Sequence, residues 1–373
     1  MNLNTMLTHS VRRARTCLAA LSALAAMTLS TGASAAIDPP PAEYPAAHRV
    51  VAVSNITADP DAFLPILQHA GLIDEHERWI GRDAHLVILG NFAGSGDRIL
   101  DTIGLIRSLN TQAEAAGGGV HALVGVYEFN VARGNFDVIP AANYQSLVTD
   151  TSGERRQAYI DQTVDHIMET LQPQPSAIPY QLRKWRKLLT LRMHEGGPEF
   201  LDLFAPGAEL GDWLRSRNSV IKIGDALYSR GGLGSQYGDM SLEEINDAVR
   251  SLYATETAFP TYFKVDLNLP PFWGALPVRP ELEMREGFLR SLAQRDVHMQ
   301  VTGVNNSLDA PTRWGFGGRA IYTDSGILAK RIGSAIKTYD YVDVVDGRYF
   351  LVLGDMRIGV PPPTPLTIPM TPK

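Results

Sequence analysis

Five short loops hold most of the side chains in this sequence whose types and spacing suit chemistry. They read SNITAD (54–59), GNFAGSGDR (90–98), GVYE (125–128), SRGGL (229–233) and TGVNN (302–306). Carboxylates in or near these loops would bind one hard divalent ion if they converged. Arg230 has a fixed positive charge, and the glycines beside it can present backbone N–H groups to an anion. The loops are therefore candidates for a cation site or an anion site.

A structural role is the better interpretation of the carboxylates, because they lack the spacing of metal ligands. These residues, expected to cap helices and hydrogen-bond to loops, are Asp59, Asp97, Glu128, Asp225 and Asp324. His48, His85 and His121 lie at the starts of predicted strands and are interpreted as structural. Ser229 lacks the strand-turn-helix context of a hydrolase nucleophile.

Alternating strands and helices would position the first three loops. Buried β-branched runs predict strands over 48–54, 84–90 and 121–125, and helices are predicted between them over 60–70 and 97–115. This βαβαβ order is typical of an α/β protein. Each strand ends at a glycine or another small residue, where α/β folds place their sites.

The second half of the chain begins with a helical pattern over about 144–217, which predicts a helical cap insertion. Further strands are predicted over 219–223, 298–303 and 319–323, with a closing hairpin that turns at Asp346-Gly347. The glycine-rich stretch from Trp314 to Arg319 matches no phosphate-binding loop and is predicted to be a turn.

The five loops, in this order, resemble those of the calcineurin-like metallophosphoesterases. In that family the equivalent loops read GDxHGD, GDxVDRGD, GNHE, HGGL and GHTP. The segment GVYEFNVARGNFDVI is similar to the Shewanella-like protein phosphatase branch. The resemblance covers about 50–326 and implies a four-layered α/β sandwich, in which two central mixed β-sheets are flanked by helices and a helical cap is inserted.

The family builds a centre for two divalent metal ions, such as Mn, Fe or Zn, from Asp, Asn and His side chains in these loops. The matching positions of this sequence hold Asn55, Thr57, Asn91, Val126, Tyr127, Arg230 and Val304. Gly94 and Ser95 stand where the family has an Asp and a phosphate-gripping Arg. The resemblance therefore implies replaced ligands and no metal cofactor, with Arg230 as a possible anion-binding residue.

Two neighbouring divalent ions need carboxylate charge around them, which these side chains do not supply. The loop glycines of the pattern remain in place: Gly90, Gly96, Gly125, Gly231, Gly232 and Gly303. Because glycines allow backbone shapes that other residues resist, we expect the fold to be kept. Two explanations fit this pattern equally well. The metal site was lost, naturally or by engineering, or the cleft was kept because it has a binding role.

The composition, with 45% hydrophobic and 20% charged residues, is typical of a globular protein. The net charge of −6 argues against a nucleic-acid binder, which needs a broad basic surface. An unknown protein or a small anion is the expected partner. A basic run over 183–187 in the cap is interpreted as a solvated helix face.

The first 36 residues have the pattern of a secretory signal peptide. Arginines precede an apolar run that ends in small residues, with cleavage expected near Ala35 or Ala36. We therefore expect a periplasmic or secreted protein that has no membrane partner after cleavage. A Pro-rich linker over 37–47, a phosphoesterase domain over 48–355 and a Pro-rich tail over 356–373 complete the expected organisation.

These observations predict an exported protein with the metallophosphoesterase fold that is catalytically inactive and thus not an enzyme. The first alternative is an active metal-dependent serine/threonine or general phosphatase with a rebuilt centre. A further alternative is a module that binds anions or proteins.

Overall fold

The computed structural model describes a chain with several gaps. The described residues are 37–135, 139–233, 237, 240–254, 282–303, 313–325, 327 and 339–363. The predicted signal peptide over 1–36, Val304 and the last ten residues of the predicted tail lie outside them. Within those ranges, no helix combines the length and the apolar character that crossing a membrane requires.

Two mixed sheets of six strands each form the centre of the described structure. Sheet I has, in spatial order, β12 (Met356–Gly359), β11 (Arg348–Leu353), β10 (Tyr341–Val345), β2 (Arg49–Val53), β3 (His85–Ile88) and β4 (Gly119–Ala122). Sheet II has the order β1 (Glu43–Tyr44), β5 (Val220–Ile223), β6 (Ala226–Ser229), β7 (Met299–Gly303), β9 (Ala320–Thr323) and β8 (Arg313–Gly315). The runs β2-β3-β4 and β6-β7-β9 are parallel, so each run gathers its carboxyl ends at one edge.

Helices connect and cover these sheets. In chain order they are α1 (Pro60–His69), α2 (Ile99–Ala115), α3 (Val126–Ala132), α4 (Ala142–Gln145), α5 (Ser152–Leu171), α6 (Ile178–Arg192), α7 (Gly197–Phe204), α8 (Glu209–Ser216), α9 (Leu242–Ala254) and α10 (Leu282–Gln294). Helices α4 to α8 occupy most of the segment that the sequence predicts as a helical cap.

The period-two alternation of β2 divides its side chains between two cores. Val51 and Val53 pack against the helices outside sheet I, whereas Val50 and Ala52 face sheet II and meet residues such as Tyr228. A third core lies between the outer face of sheet II and its own helices. The layers are therefore helix, sheet, sheet and helix, which confirms the predicted fold class.

The first loop and helix α1 are joined by a defined cap. The side-chain Oδ1 of Asp59 accepts a hydrogen bond of 3.1 Å from the backbone N of Ala62, and Pro60 occupies the first turn. An aspartate cap satisfies one of the free N–H groups at a helix start, and proline tolerates that position because it lacks an N–H. The cap fixes the point at which the chain leaves the loop.

Three segments differ from the sequence-based expectation, because short edge strands leave little sequence pattern. Glu43–Tyr44, inside the predicted linker, pairs with β5 as a parallel strand. Met356–Gly359, inside the predicted tail, pairs with β11. Arg313–Gly315 pairs with β9 and so overlaps the predicted turn. Backbone hydrogen bonds along a sheet edge hold these strands with little help from buried side chains.

The GVYE segment also differs from the prediction of a simple loop. Strand β4 ends at Ala122, and Val126 already begins α3. Gly125 is the N-cap of this helix, and the Glu128 side chain accepts a hydrogen bond of 2.8 Å from the backbone N of Gly125. This bond is half of a capping box, and it brings a carboxylate under the second loop.

Candidate functional site

The loops after β2 and β3 contain an unusual group of backbone conformations. Asn55, Thr57 and Ala58 have φ values of 56°, 51° and 50°, and Asn91 and Ser95 have values of 59° and 56°. Positive φ is uncommon outside glycine, and for a β-branched residue such as Thr57 it marks strain. Strained residues of this kind cluster at functional sites, where the surrounding structure holds them in place.

A network of side chains joins loops from both sheets at this position. Asn55 is at its centre: its Oδ1 accepts from Asn91 Nδ2 at 2.9 Å and from Arg230 Nη2 at 3.1 Å. Its Nδ2 donates to Asp324 Oδ2 at 2.9 Å. These residues follow β2, β3, β6 and β9, so the network spans the crevice edge shared by the two sheets. We call these four residues the strand-end cluster.

Glu128 holds the second loop from beneath. It accepts hydrogen bonds of 2.8, 2.7 and 2.6 Å from the backbone N atoms of Asn91, Phe92 and Ala93. Burial raises the pKa of this carboxyl, while the backbone hydrogen bonds act in the opposite direction. Glu128 therefore fixes the shape of the loop.

Arg230 brings a cation into this buried position. Its side chain is 1% exposed, and burial lowers its pKa to about 10. Asp324 and then Glu128 oppose that shift as nearby negative charges. The guanidinium is thus protonated at neutral pH, and it is partly balanced by two carboxylates.

Two glycines are needed where the loops approach each other. A Cβ on Gly96 would lie 1.9 Å from the carbonyl oxygen of Thr57, and a Cβ on Gly125 would lie 2.7 Å from Asn91 Oδ1. Both distances are too short for any side chain. The glycines therefore allow the first and second loops, and the second loop and α3, to touch.

The structure brings some of the sequence-predicted site residues together and separates others. Asn55, Asn91 and Arg230 are in direct hydrogen-bond contact. The backbone N of Thr57 donates to the carbonyl of Asn91 at 2.9 Å, so the first two loops are directly bonded. Ser95 follows in the strained second loop.

Gly94, Val126 and Tyr127 occupy a different part of the site. Tyr127 lies over Gly94, where a Cβ would approach its Cδ1 to 2.2 Å. Val126 and Tyr127 are half-buried in the first turn of α3. Val304 is outside the described residues.

Other residues of the sequence analysis have structural roles. His85 Nδ1 and His121 Nε2 are 2.7 Å apart, and burial lowers the pKa of His121 to about 3, so it is neutral. Asp225 accepts a hydrogen bond from the Tyr349 hydroxyl at 3.0 Å and is not part of the strand-end cluster.

Sequence reasoning missed two residues near the cluster. Asn143 Oδ1 accepts from the backbone N of Ile99 at 2.9 Å, and its Nδ2 donates to the Gly96 carbonyl at 2.8 Å. Asp340 is buried before β10, and burial, together with the charge of Asp324, raises its pKa to about 7. No local motif marks either residue, because their partners are distant in the sequence.

The two divalent metal ions that this fold family uses do not match the donors present. The cluster offers amide groups from Asn55 and Asn91, the single carboxylate of Asp324, and a guanidinium that repels cations. The buried oxygens Thr57 Oγ1 and Asn91 Oδ1 have no hydrogen-bond partner among the described residues, but both are neutral. In the same part of the chain, no three His, Cys, Asp or Glu side chains are grouped so as to hold a metal. The described residues do not fit a dinuclear centre.

Comparison with known proteins identifies relatives of this chain. No protein-family model matches it. Shewanella-like protein phosphatase 2 of Arabidopsis thaliana is 25% identical over 211 residues, which are 54% of this chain and 51% of that protein. The chain thus spans about half the length of this curated relative.

Solved structures match a larger part of the chain. A cold-active protein tyrosine phosphatase matches with a TM-score of 0.61 and 21% identity, covering 86% of this chain and 81% of that one. The cold-active protein-tyrosine phosphatase of a psychrophilic Shewanella species has the same score and identity, over 87% and 83%.

These comparisons overturn one expectation of the sequence analysis. The curated relative and the two solved structures named above are protein phosphatases by name, so the prediction that this protein is not an enzyme is wrong. The predicted resemblance is confirmed: the chain is homologous to the Shewanella-like protein phosphatases and has the calcineurin-like metallophosphoesterase fold.

Proposed function

We propose that this protein is an exported phosphoesterase that hydrolyses phosphate monoesters on protein side chains, with Arg230 binding the phosphoryl group. The carrying observation is the buried guanidinium of Arg230 in the strand-end cluster, where four strands of two sheets end. The names of the homologue and of the structural neighbours support the reaction class.

Charge complementarity is the main chemical argument. A phosphate monoester carries negative charge on its non-bridging oxygens, and catalysis of phosphoryl transfer depends on positioning and on stabilising that charge. A guanidinium is planar and can donate two parallel hydrogen bonds to a phosphate. Arg230 is already charged, and Asn55 orients its guanidinium before substrate binds. Because Arg230 is 1% exposed, the loops around it must move to admit a phosphoryl group.

Orientation of the attacking water is assigned to Asn91 in this proposal. Its Oδ1 is a buried acceptor without a hydrogen-bond partner among the described residues, 2.7 Å from the position of a Cβ on Gly125. An amide oxygen that accepts a hydrogen bond from water can orient it toward phosphorus.

Asp340 and Asp324 are the proposed acid–base pair. A carboxyl with a pKa of about 7 can hold or release a proton near neutral pH, which is the property that general acid–base catalysis requires. Asp324 connects this pair to the cluster, because it accepts the hydrogen bond from Asn55.

Export is the second part of the proposal and rests on the first 36 residues. The arginines, the apolar run and the small residues up to Ala36 form the pattern of a signal peptide. Fractionation of expressing bacteria, with N-terminal sequencing, tests it. A mature protein in the periplasm or medium that begins near Ala36 is expected, and an uncut cytoplasmic chain would contradict export.

Hydrolysis assays with phosphotyrosyl and phosphoseryl peptides, run with and without EDTA, test the activity. Because the described donors do not fit two metal ions, we expect turnover that EDTA does not abolish and less than one equivalent of bound Mn, Fe or Zn. Turnover no faster than a buffer control would contradict the proposal. Stoichiometric metal together with loss of activity in EDTA would contradict the assignment of phosphoryl binding to Arg230 alone.

A further inference from the structure

One side of helix α6 combines basic and apolar side chains that are all exposed to solvent. These residues are Tyr180, Arg183, Lys184, Lys187 and Leu191. They follow one another at spacings of three or four residues, which places them on one side of an α-helix. The sequence alone predicts a solvated basic face here, and the structure adds an exposed apolar side chain at each end. We call these five residues the α6 outer face.

The three cations of the α6 outer face lack a carboxylate partner. Arg183, Lys184 and Lys187 form no ion pair within the described part of the chain. Their neighbour Arg186, by contrast, pairs with Asp161 of α5 at 2.7 Å. The outer face thus carries three positive charges in a protein whose net charge is −6. A local charge of this kind attracts an anionic partner to one place on the surface.

Apolar side chains lie at the two ends of the α6 outer face. Leu191 is 69% exposed and Tyr180 is 59% exposed, which makes them two of the three most exposed large hydrophobic side chains in the described part of the chain. At the helical rise of 1.5 Å per residue, their positions are about 16 Å apart. Tyrosine and arginine are both enriched in protein–protein interfaces. A partner that contacts both ends must bridge this distance and cross the cations between them.

The acidic residues of α5 limit the direction from which a partner can approach. Asp165 and Glu169 are exposed on that helix, and neither pairs with a cation of the α6 outer face in the described ranges. Both carboxylates repel an anionic partner from the side of α5. The partner must therefore follow α6 itself.

The packing of α6 favours a polypeptide partner over a lipid surface. Helices that lie in a membrane interface turn a continuous apolar face to the acyl chains. In α6 that face includes Leu182, Trp185 and Leu189, and it is already packed in the hydrophobic core that α5 shares. A membrane would meet the cations in the middle of the outer face and only two apolar side chains at its ends. A long polyanion such as a nucleic acid is disfavoured by the net charge of −6.

We propose that the α6 outer face binds an acidic segment of a partner protein, whose carboxylates pair with Arg183, Lys184 and Lys187. An extended segment advances about 3.3 Å per residue, so two apolar residues five positions apart span the distance from Tyr180 to Leu191. Four acidic residues then lie between them, opposite the three cations. This binding requires no phosphatase activity and goes beyond the proposed function.

Fluorescence anisotropy of the dye-labelled peptide LEEEEL, titrated with the full chain, tests the proposal. In about 20 mM salt, where exposed charges are weakly screened, we expect saturable binding. Two peptides with the same dye should bind at least about threefold more weakly: LQQQQL lacks the charges, and AEEEEA lacks the apolar ends. Equal affinity for the three peptides, or no binding of LEEEEL at about 1 mM protein, the range of weak complexes, would overturn the proposal.

Variants at exposed positions locate the site and are expected to fold. Arg183→Gln combined with Lys187→Gln should weaken binding of LEEEEL at least about threefold, and Leu191→Ser should have an effect of the same size. The control combines Arg290→Gln with Arg348→Gln, which removes two positive charges at exposed positions outside α6. This control should leave the affinity unchanged. Equal losses in the two double variants would show that net charge alone attracts the peptide, and would overturn the proposal.

Two other occupants of the α6 outer face are outcomes of the same test. Sedimentation with vesicles of phosphatidylglycerol and phosphatidylcholine in equal amounts measures lipid binding, and light scattering measures self-association. Either one, if it requires Arg183 and Lys187 in a protein that does not bind LEEEEL, would overturn the proposal. The face would then belong to a lipid surface or to a second copy of the chain. Because no readout uses phosphatase activity, failure of the proposed function leaves this test intact.

Discussion

Two arginines of this protein occupy buried positions that differ in what surrounds them. Arg230 in the strand-end cluster lies among strained loops and amide side chains, with Asp324 and Glu128 as nearby negative charges. Arg215 lies against a helix end in a cavity with apolar walls, and two of its nitrogens have no partner among the described residues.

The difference teaches how the two regions are built. The strand-end cluster is held by hydrogen bonds among its own side chains, and Glu128 fixes the second loop beside it, so its geometry exists before any ligand binds. The pocket beside Arg215 is open to solvent and has mostly apolar walls. We therefore expect changes at the strand ends to reduce the free energy of unfolding more than changes at the walls of this pocket.

The largest expected effect is that of Glu128→Ala. This change leaves the backbone N–H groups of the second loop without their carboxylate acceptor, and breaking a buried charged network typically costs about 3–5 kcal/mol. Urea unfolding measures the loss. Glu169→Ala, at an exposed position on α5, is the control and should change stability by less than about 0.5 kcal/mol. Equal stability of the two variants would show that the loop is not held by Glu128.

A smaller loss is expected for Gly96→Ala. The new Cβ would meet the Thr57 carbonyl at 1.9 Å, and forced overpacking of this kind costs about 1–3 kcal/mol. Gly104→Ala in α2 is the matched control, because its Cβ meets nothing within 4 Å and alanine favours the helix by up to about 1 kcal/mol. Thermal unfolding should therefore move in opposite directions for the two variants.

The smallest expected effect is on the pH dependence of folding stability, to which Asp340 contributes. Its pKa of about 7 in the folded protein is above the ordinary aspartate value of 3.8, so between these pH values the folded state keeps a proton that the unfolded state has released. Stability therefore falls as pH rises through this window. Asp340→Asn should remove about 1 kcal/mol of that fall, allowing for screening by solvent.

Denaturant unfolding of the wild type and Asp340→Asn measures this difference in stability. The measurement is made at about pH 4.5 and about pH 7.5, near the two ends of the window. The variant should gain relative to the wild type at the higher pH. An identical pH dependence in both proteins would remove Asp340 from the proposed acid–base pair.

Much of the fold could be predicted from sequence where strands are apolar and β-branched. The strand Arg49–Val53 lies inside the predicted 48–54, and helix Ile99–Ala115 lies inside the predicted 97–115. Burial on both faces requires such continuous apolar runs, which sequence displays directly. The α/β class followed from their order, and the four-layered arrangement followed from the resemblance of the five loops to those of the calcineurin-like metallophosphoesterases.

Edge strands and the start of α3 were not predicted, for a physical reason. Glu43–Tyr44 and Met356–Gly359 have mostly half-buried or exposed side chains, so their pairing depends on backbone bonds to strands that are far away in the sequence. The Gly125 cap of α3 depends on Glu128, whose other bonds reach the preceding loop. The edge strands therefore have no local pattern, and the local part of the α3 cap is the bond between Gly125 and Glu128.

The sequence predicted only part of the candidate site. The residue types at Asn55, Asn91 and Arg230 singled out the loops, but their direct contact depends on two sheets that pack face to face with their strand ends at the same edge. The pocket lined by Arg133 and Arg215 was not predicted, because only helix packing brings these two residues together.

The most direct test of the central claim is kcat/KM for a phosphotyrosyl peptide in the wild type, Arg230→Gln and Arg217→Gln. Arg217 is a fair control, because it is also largely buried and burial lowers its pKa to about 10. Removing a preorganised group that stabilises transition-state charge typically costs about 100- to 1,000-fold in rate. We predict a loss of that size in Arg230→Gln and no loss in Arg217→Gln. Equal kcat/KM in the wild type and Arg230→Gln, with both proteins folded, would contradict the account.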